Sequence, residues 1–580
     1  MRTGMAFVAL AVVASAAAAD VRLPRILSSH MVIQRDKPVR IWGWADNGEA
    51  VSVSFAGQTR STTAGQDGTW QVELGPMAAS AQGRELEVKG RGNSITLKDV
   101  LVGEVWLCGG QSNMEWAVWV TAQQHLARVQ QPSLPAIRTI RVTASPSPTP
   151  REDFENGEWQ PCHMHMTGLG YYFARELYLA LNVPIGIIDV SVGGTLAETW
   201  TSRATLDQIP EAAEWLKYWD AKVAAYDLKE EQKALASKMA EYEKAVAAGK
   251  KDARKPELRR SPALDMNHPG NGYNAFVAPI RAFALRGVLF LQGENNYFVG
   301  NCRVYARTYP AVIQDWRAAW GDPDLPFGVI QMAGWGTAGA ESPERAVSGE
   351  GAGGALIREV HLRTHLTTPH TGLIVTFDQG AADIHWWCKE QVGQRAAIWA
   401  LIDVYRVLRS VRGDPIQEFP CLIYESVEKK EGRLIVHFRK APVHELMSVG
   451  ANREKLRGFV IAGADQHFYP AEARVRDNNS VEVWSSLVPD PMAVRYAWAL
   501  NPEGNFFADR AVPASPFRTD DWSIGPGRER PFASDDPELK KKFEQAQREH
   551  SAILDQQARR RMRQEAERTL RDLGPESGGK

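Results

Sequence analysis

Leu107–Trp116 reads L-C-G-G-Q-S-N-M-E-W, and the fold turns on how this stretch is understood. Upstream lies an apolar run, Val100, Leu101, Val102, Val105, Trp106 and Leu107, with the composition of a buried strand. Gly109-Gly110 breaks that run and leads through Ser112 toward a helix. A serine on a tight strand-to-helix turn carries its hydroxyl beyond the sheet, where the backbone amides behind it face the same space. Acyl transfer requires that geometry. The same residues also suit a plain serine helix cap, so the rest of the chain has to decide.

Three later segments bear on the choice. Ile185–Trp200, I-G-I-I-D-V-S-V-G-G-T-L-A-E-T-W, is an apolar strand followed by Gly193-Gly194-Thr195, where glycines let the backbone approach a ligand and offer it an amide. Gly287–Asn296, G-V-L-F-L-Q-G-E-N-N, runs from a buried strand into the side-chain amides of Gln292, Asn295 and Asn296, which can donate to a developing oxyanion. Leu373–Arg395 holds Asp378, Asp383, His385 and Lys389, with Asp383-Ile384-His385 in a loop between a strand and a helix beginning near Lys389. A histidine with a carboxylate two residues away can act as a base with a charged orienter. Each segment alone is commonplace. A serine, a glycine, an amide and an Asp/His offered by four successive strand ends are not.

These four segments resemble the four blocks of the SGNH hydrolases, and more closely the sialate O-acetylesterase-like branch of carbohydrate esterases. Members of that branch read G-Q-S-N-M-E-W, G-G-T, W-Y-Q-G-E-x-N and D-I-H-P. The counterparts here are Gly110–Trp116, Gly193–Thr195, Phe290–Asn296 and Asp383–Trp386. Tyr309–Trp320, Pro326–Gln331 and Val494–Trp522 also resemble family segments, so the likeness runs from about Leu23 to Trp522. The resemblance implies Ser112 as nucleophile, His385 as general base and Asp383 as its orienter, with Asp378 as the alternative carboxylate. It implies an oxyanion hole from the amides of Ser112 and Gly193 and a side-chain amide, Gln292 or Asn296. Glu115, Glu294, Arg358 and Trp386 are the candidate substrate contacts. Phe290-Leu291 stand where relatives carry Trp-Tyr, and Trp386 where they carry Pro, which suggests a reshaped sugar pocket. Neither a metal nor a cofactor is expected for this chemistry.

Composition is compatible with that reading. A net charge of −1 gives no electrostatic case for nucleic acid. Arg2, the apolar run Met5–Val13 and the small residues before Asp20 read as a signal peptide over 1–19, which predicts a secreted or periplasmic enzyme with no integral membrane segment in the mature chain. Short strands and turns over 20–99 predict an N-terminal β-sandwich. Alternating strands and helices over 100–408 predict a three-layer α/β hydrolase core with a parallel sheet, interrupted by a helical insertion at about 208–260. A second all-β domain is expected over 409–525 and a charged helical tail over 526–580, whose thin apolar stripe offers a route to oligomers.

Competing readings exist. Glu115, Glu198 and Glu294 could be the paired carboxylates of a glycosidase, but that leaves Ser112 and His385 without a purpose. Cys162-His163-Met164-His165 is too sparse for a metal site. A sugar-binding protein on an inactive hydrolase fold would tolerate alanine at 112 or 385, and neither is alanine. The sequence thus predicts an esterase that removes O-acetyl groups from sugars. Sialate is one substrate choice and acetylated xylan or pectin the other.

Overall fold

Strands that are apolar on both faces must be covered on both faces, and the central sheet is built that way. The computed structural model describes residues 20–121, 134–250, 253–336, 352–407, 419–439, 447–448, 455–477, 479–508 and 512–522. The expected signal peptide and helical tail lie outside them. The described residues fall into two units, the first holding all of them but Phe298–Gly300, which belong to the second. All site residues discussed below belong to the first.

The core strands lie in the order Thr371–Ile374, Phe327–Ile330, Gly287–Leu291, Ser94–Gly110, Ile185–Ser191, Ile137–Arg141, and these six are parallel to their neighbours. The short strand Gln160–Pro161 closes the edge antiparallel. Adjacent residues on the central strand show the layering. A side chain on Gly170, in the helix Gly168–Leu181, would meet Cys108, whereas one on Gly109 would meet Trp316, in the helix Cys302–Trp320. The two helices therefore cover opposite faces. Lys389–Trp399 packs beside Gly168–Leu181, and Ala352–Thr367 beside Cys302–Trp320. The chain adds strands first on one side of Ser94–Gly110 and then on the other, so the topological switch point falls at the carboxyl end of that strand. Ser112 sits there.

Ser94–Gly110 is one continuous strand of 17 residues, and it runs through the division expected at 99/100. Its first half pairs with Ser80–Lys89 and Val32–Gln34 in the N-terminal β region, and its second half with the hydrolase strands. The insertion is a helical hairpin, Ala213–Ala224 and Leu228–Ala247, the second helix burying none of its residues. From Phe419 on, the described residues form two four-stranded antiparallel sheets and one small three-stranded sheet, with no helix among them.

Candidate active site

Gly110 shapes the nucleophile turn. Its φ is +130°, and a Cβ there would stand 2.0 Å from the carbonyl oxygen of Leu291, so only glycine lets the two strands approach this closely. Ser112 follows at the first position of the short helix Ser112–Glu115, where its N–H has no intrahelical acceptor. Its Oγ lies 2.9 Å from Nε2 of His385. The His385 N–H donates to Oδ1 of Asp383 at 3.0 Å, and Nδ1 faces that same oxygen at 3.5 Å. Asp378 stands elsewhere. It holds Arg395 through two bonds of 2.7 and 2.6 Å and anchors the helix Lys389–Trp399 to the strand before it.

Trp116 stacks on the His385 ring, with centroids 4.6 Å apart and planes 17° from parallel, and Trp387 meets Trp116 edge-on. Both are half-buried at the mouth of the site. Sequence reasoning passed over them, although Trp116 closes the G-Q-S-N-M-E-W block itself. Trp386, the expected contact, is instead buried, and the Lys389 Nζ lies 3.3 Å from its ring centroid.

The side-chain amides also differ from the expectation. Gln292 is fully buried and donates to the Thr195 carbonyl and to Asn296 Oδ1, while Asn296 donates to Glu198 and Asn301. These bonds take up both amides inside the fold. Asn295, half-buried, is the amide of that segment left near the surface, and it donates to the Gly194 carbonyl at 2.6 Å. Gly193 abuts Ser112, since a Cβ there would lie 3.4 Å from the Ser112 Cβ. Its N–H donates to Glu115 at 2.6 Å, and the other Glu115 oxygen accepts from Arg141. Arg141 also faces the buried Asp189, whose carboxyl is raised to about 6 by desolvation despite that guanidinium.

Glu294 is buried rather than open to a sugar, accepting from Gln111 and from Asn113 at 2.6 Å. Arg358 is fully buried and donates to the carbonyls of Met332, Ala499 and Leu500, bracing the C-terminal β region against the core. Phe290 and Leu291 are core residues, Phe290 lying edge-on to Trp316, so their departure from Trp-Tyr does not alter an exposed surface. Cys108 is no rival nucleophile, because burial and then Asp189 push its thiol well above the usual range.

The fold is an α/β hydrolase core carrying additional β sheets, with its polar strand ends gathered at one edge. A family model described as carbohydrate esterase, sialic acid-specific acetylesterase, matches residues 102–226. A carbohydrate acetylesterase from Xanthomonas citri is 31% identical and superposes with a TM-score of 0.70, covering 87% of this chain and 100% of that one. The sialate O-acetylesterase of Rattus norvegicus is 27% identical over 367 residues, 57% of this chain and 64% of the relative. The human one is 26% identical over 347 residues, 54% and 57% respectively. The match thus spans somewhat less than two thirds of these curated relatives. The chain belongs to the carbohydrate acetylesterases, a family of carboxylic ester hydrolases. Among the described residues no helix is long and apolar enough to cross a membrane.

Proposed function

We propose that this chain is a secreted serine esterase that removes O-acetyl groups from sugars through an acyl-serine intermediate. The contact of 2.9 Å between Ser112 Oγ and His385 Nε2, at the switch point of the sheet, carries this reading. Ser112 attacks the ester carbonyl as His385 takes its proton, with Asp383 orienting the imidazole. The tetrahedral intermediate collapses, His385 returns the proton to the departing sugar oxygen, and acetyl-Ser112 remains. Water activated by His385 then releases acetate and restores the serine. The oxyanion is held by the amides of Ser112 and Gly193, with Asn295 as the side-chain donor beside them. One such donor lowers the barrier by about 3–4 kcal/mol. Because the Gly193 N–H is engaged by Glu115, that carboxylate has to yield before the amide serves the oxyanion.

Trp116 and Trp387 supply apolar faces suited to a pyranose ring. The names of the mammalian relatives favour an O-acetylated sialic acid, with the 9-O ester as the proposed form, and acetylated xylan or pectin is the alternative substrate for the same machinery. The basic, apolar and small-residue order of 1–20 supports export. Acetate release from 9-O-acetyl sialic acid, acetyl-xylan, acetylated pectin and 4-nitrophenyl acetate, with wild type beside Ser112→Ala, tests the reading. Wild type should free acetate and the variant should not, and the best substrate names the specificity. Equal activity in both would remove Ser112 from the mechanism.

A further inference from the structure

Beneath the nucleophile lies a buried charge cluster that the mechanism above does not use. Asn113, next to Ser112 and 1% exposed, is its hub. Its Oδ1 accepts from Lys389 Nζ at 2.6 Å, and its Nδ2 donates to Glu294 Oε1 at 2.6 Å and to the Ile384 carbonyl at 3.1 Å. Gln111, on the other side of Ser112, donates to the second oxygen of Glu294. Lys389 is fully buried, which drives its amine well below the usual lysine range while Glu294 pulls it back up, and its Nζ lies over the Trp386 ring.

An amide has two ends of opposite polarity. Here the cation stands at the oxygen end and the carboxylate at the nitrogen end, so the flipped orientation of Asn113 would face like with like. Locking that orientation also aims an N–H at Ile384, the residue before His385. The cluster therefore joins the turn that carries Ser112, the third strand end and the loop that carries His385. We propose that Lys389 is a positioning residue which, through Asn113 and against Glu294, holds Ser112 and His385 in register from below. This rests on Ser112 and His385 being the reacting pair.

Lys389→Met keeps the length of the side chain, removes the cation and leaves Glu294 buried without it. With 4-nitrophenyl acetate, kcat should fall on the order of a hundredfold while KM moves less than about threefold. Adding Glu294→Gln should recover about tenfold of that loss, because the uncompensated carboxylate goes with it. Asn113→Asp, which keeps the volume but turns the end facing Glu294 and Ile384 into an acceptor, should show the same fall in kcat at near-constant KM. It is the variant to read if Lys389→Met does not fold. A folded Lys389→Met or Asn113→Asp with wild-type kcat, or a double variant no faster than Lys389→Met, would overturn the proposal. Ser112→Ala in the same assay separates the two readings. If it stays active, the nucleophile assignment fails. If it is inactive while the cluster variants run at wild-type rate, only the positioning role fails.

Discussion

Two clusters of the same parts flank Ser112, and they differ in their access to water. Below it, Glu294, Lys389 and the Asn113 amide are buried. In front of it, Glu115, Arg141 and the Gly193 N–H are open to solvent, with side-chain exposures of 31% and 44% for the charged pair. Breaking a buried charge pair by removing one partner costs about 3–5 kcal/mol, because the survivor has no water to turn to. An exposed pair contributes about 0–1 kcal/mol. The same carboxylate–cation–amide motif therefore holds firmly in one place and yields in the other. On the proposed mechanism the first would fix the reacting atoms and the second would stand where substrate enters.

The largest effect tests the pair that both clusters serve. Ser112→Ala should lower acetate release on the order of 10⁴-fold or more with the melting temperature unchanged. Next come the two candidate carboxylates, Asp383 beside His385 and Asp378 on Arg395. Asp383→Asn should cost about 10²–10⁴ in kcat, as wrong orientation of a catalytic histidine does. Asp378→Asn should mainly cost stability, about 3–5 kcal/mol, because it strands the buried Arg395. Denaturant melts and kinetics on both variants check this, and a dead but stable Asp378→Asn would reverse the roles.

Buried titrating groups sharpen the same comparison through pH. His361 accepts the Met332 N–H on Nδ1, and its Nε2 faces Tyr305 Oη and the Gln292 carbonyl; burial lowers it to about 3, and His365 to about 4. Both are neutral when folded but protonate below pH 6.5 when unfolded. Stability should fall as pH drops from 6.5 toward 4, by about 1.4 kcal/mol per pH unit for each. Asp189 acts in the opposite direction. Its folded value of about 6 exceeds the ordinary 3.8, so its penalty is absent below 3.8 and complete above 6. Asp189→Asn, neutral throughout, should gain stability relative to wild type as pH rises from 4 to 7, read by thermal melts at each pH.

The smallest effect belongs to the open cluster. Glu115→Ala frees the Gly193 amide and should raise kcat/KM for 4-nitrophenyl acetate by a few-fold, with stability changed by no more than about 1 kcal/mol. A raised KM for the sugar ester instead would assign Glu115 to substrate hydroxyls.

Much of this architecture was legible in the chain. The apolar run into Gly109-Gly110 and Ser112 marks the central strand and its turn, and the helix expected to begin near Lys389 starts at that residue. Side-chain direction was not legible. A strand covered on both faces has no polar alternation to show which residue looks where, so Phe290-Leu291 in place of Trp-Tyr read as a reshaped sugar pocket although both lie in the core. The amides failed for a related reason. Gln292, Asn295 and Asn296 are chemically alike in sequence, and only the three-dimensional partners show which are taken up inside. Nor does any local pattern announce that Glu115 meets Arg141 across 26 positions, or that Asn113 meets Lys389 across 276.

The strand Ser94–Gly110 has a consequence for how the molecule comes apart. The N-terminal β region and the hydrolase core share one uninterrupted backbone segment, so neither can melt without exposing the unpaired edge of the other. A chain begun at Val100 would lose the antiparallel partner Ser80–Lys89 and the parallel partner Val32–Gln34 together. The two regions should therefore unfold as one cooperative unit, with backbone amides along Val100–Gly110 exchanging with deuterium at a common slow rate. The N-terminal region is in this sense the far end of the beam from which the nucleophile is cantilevered.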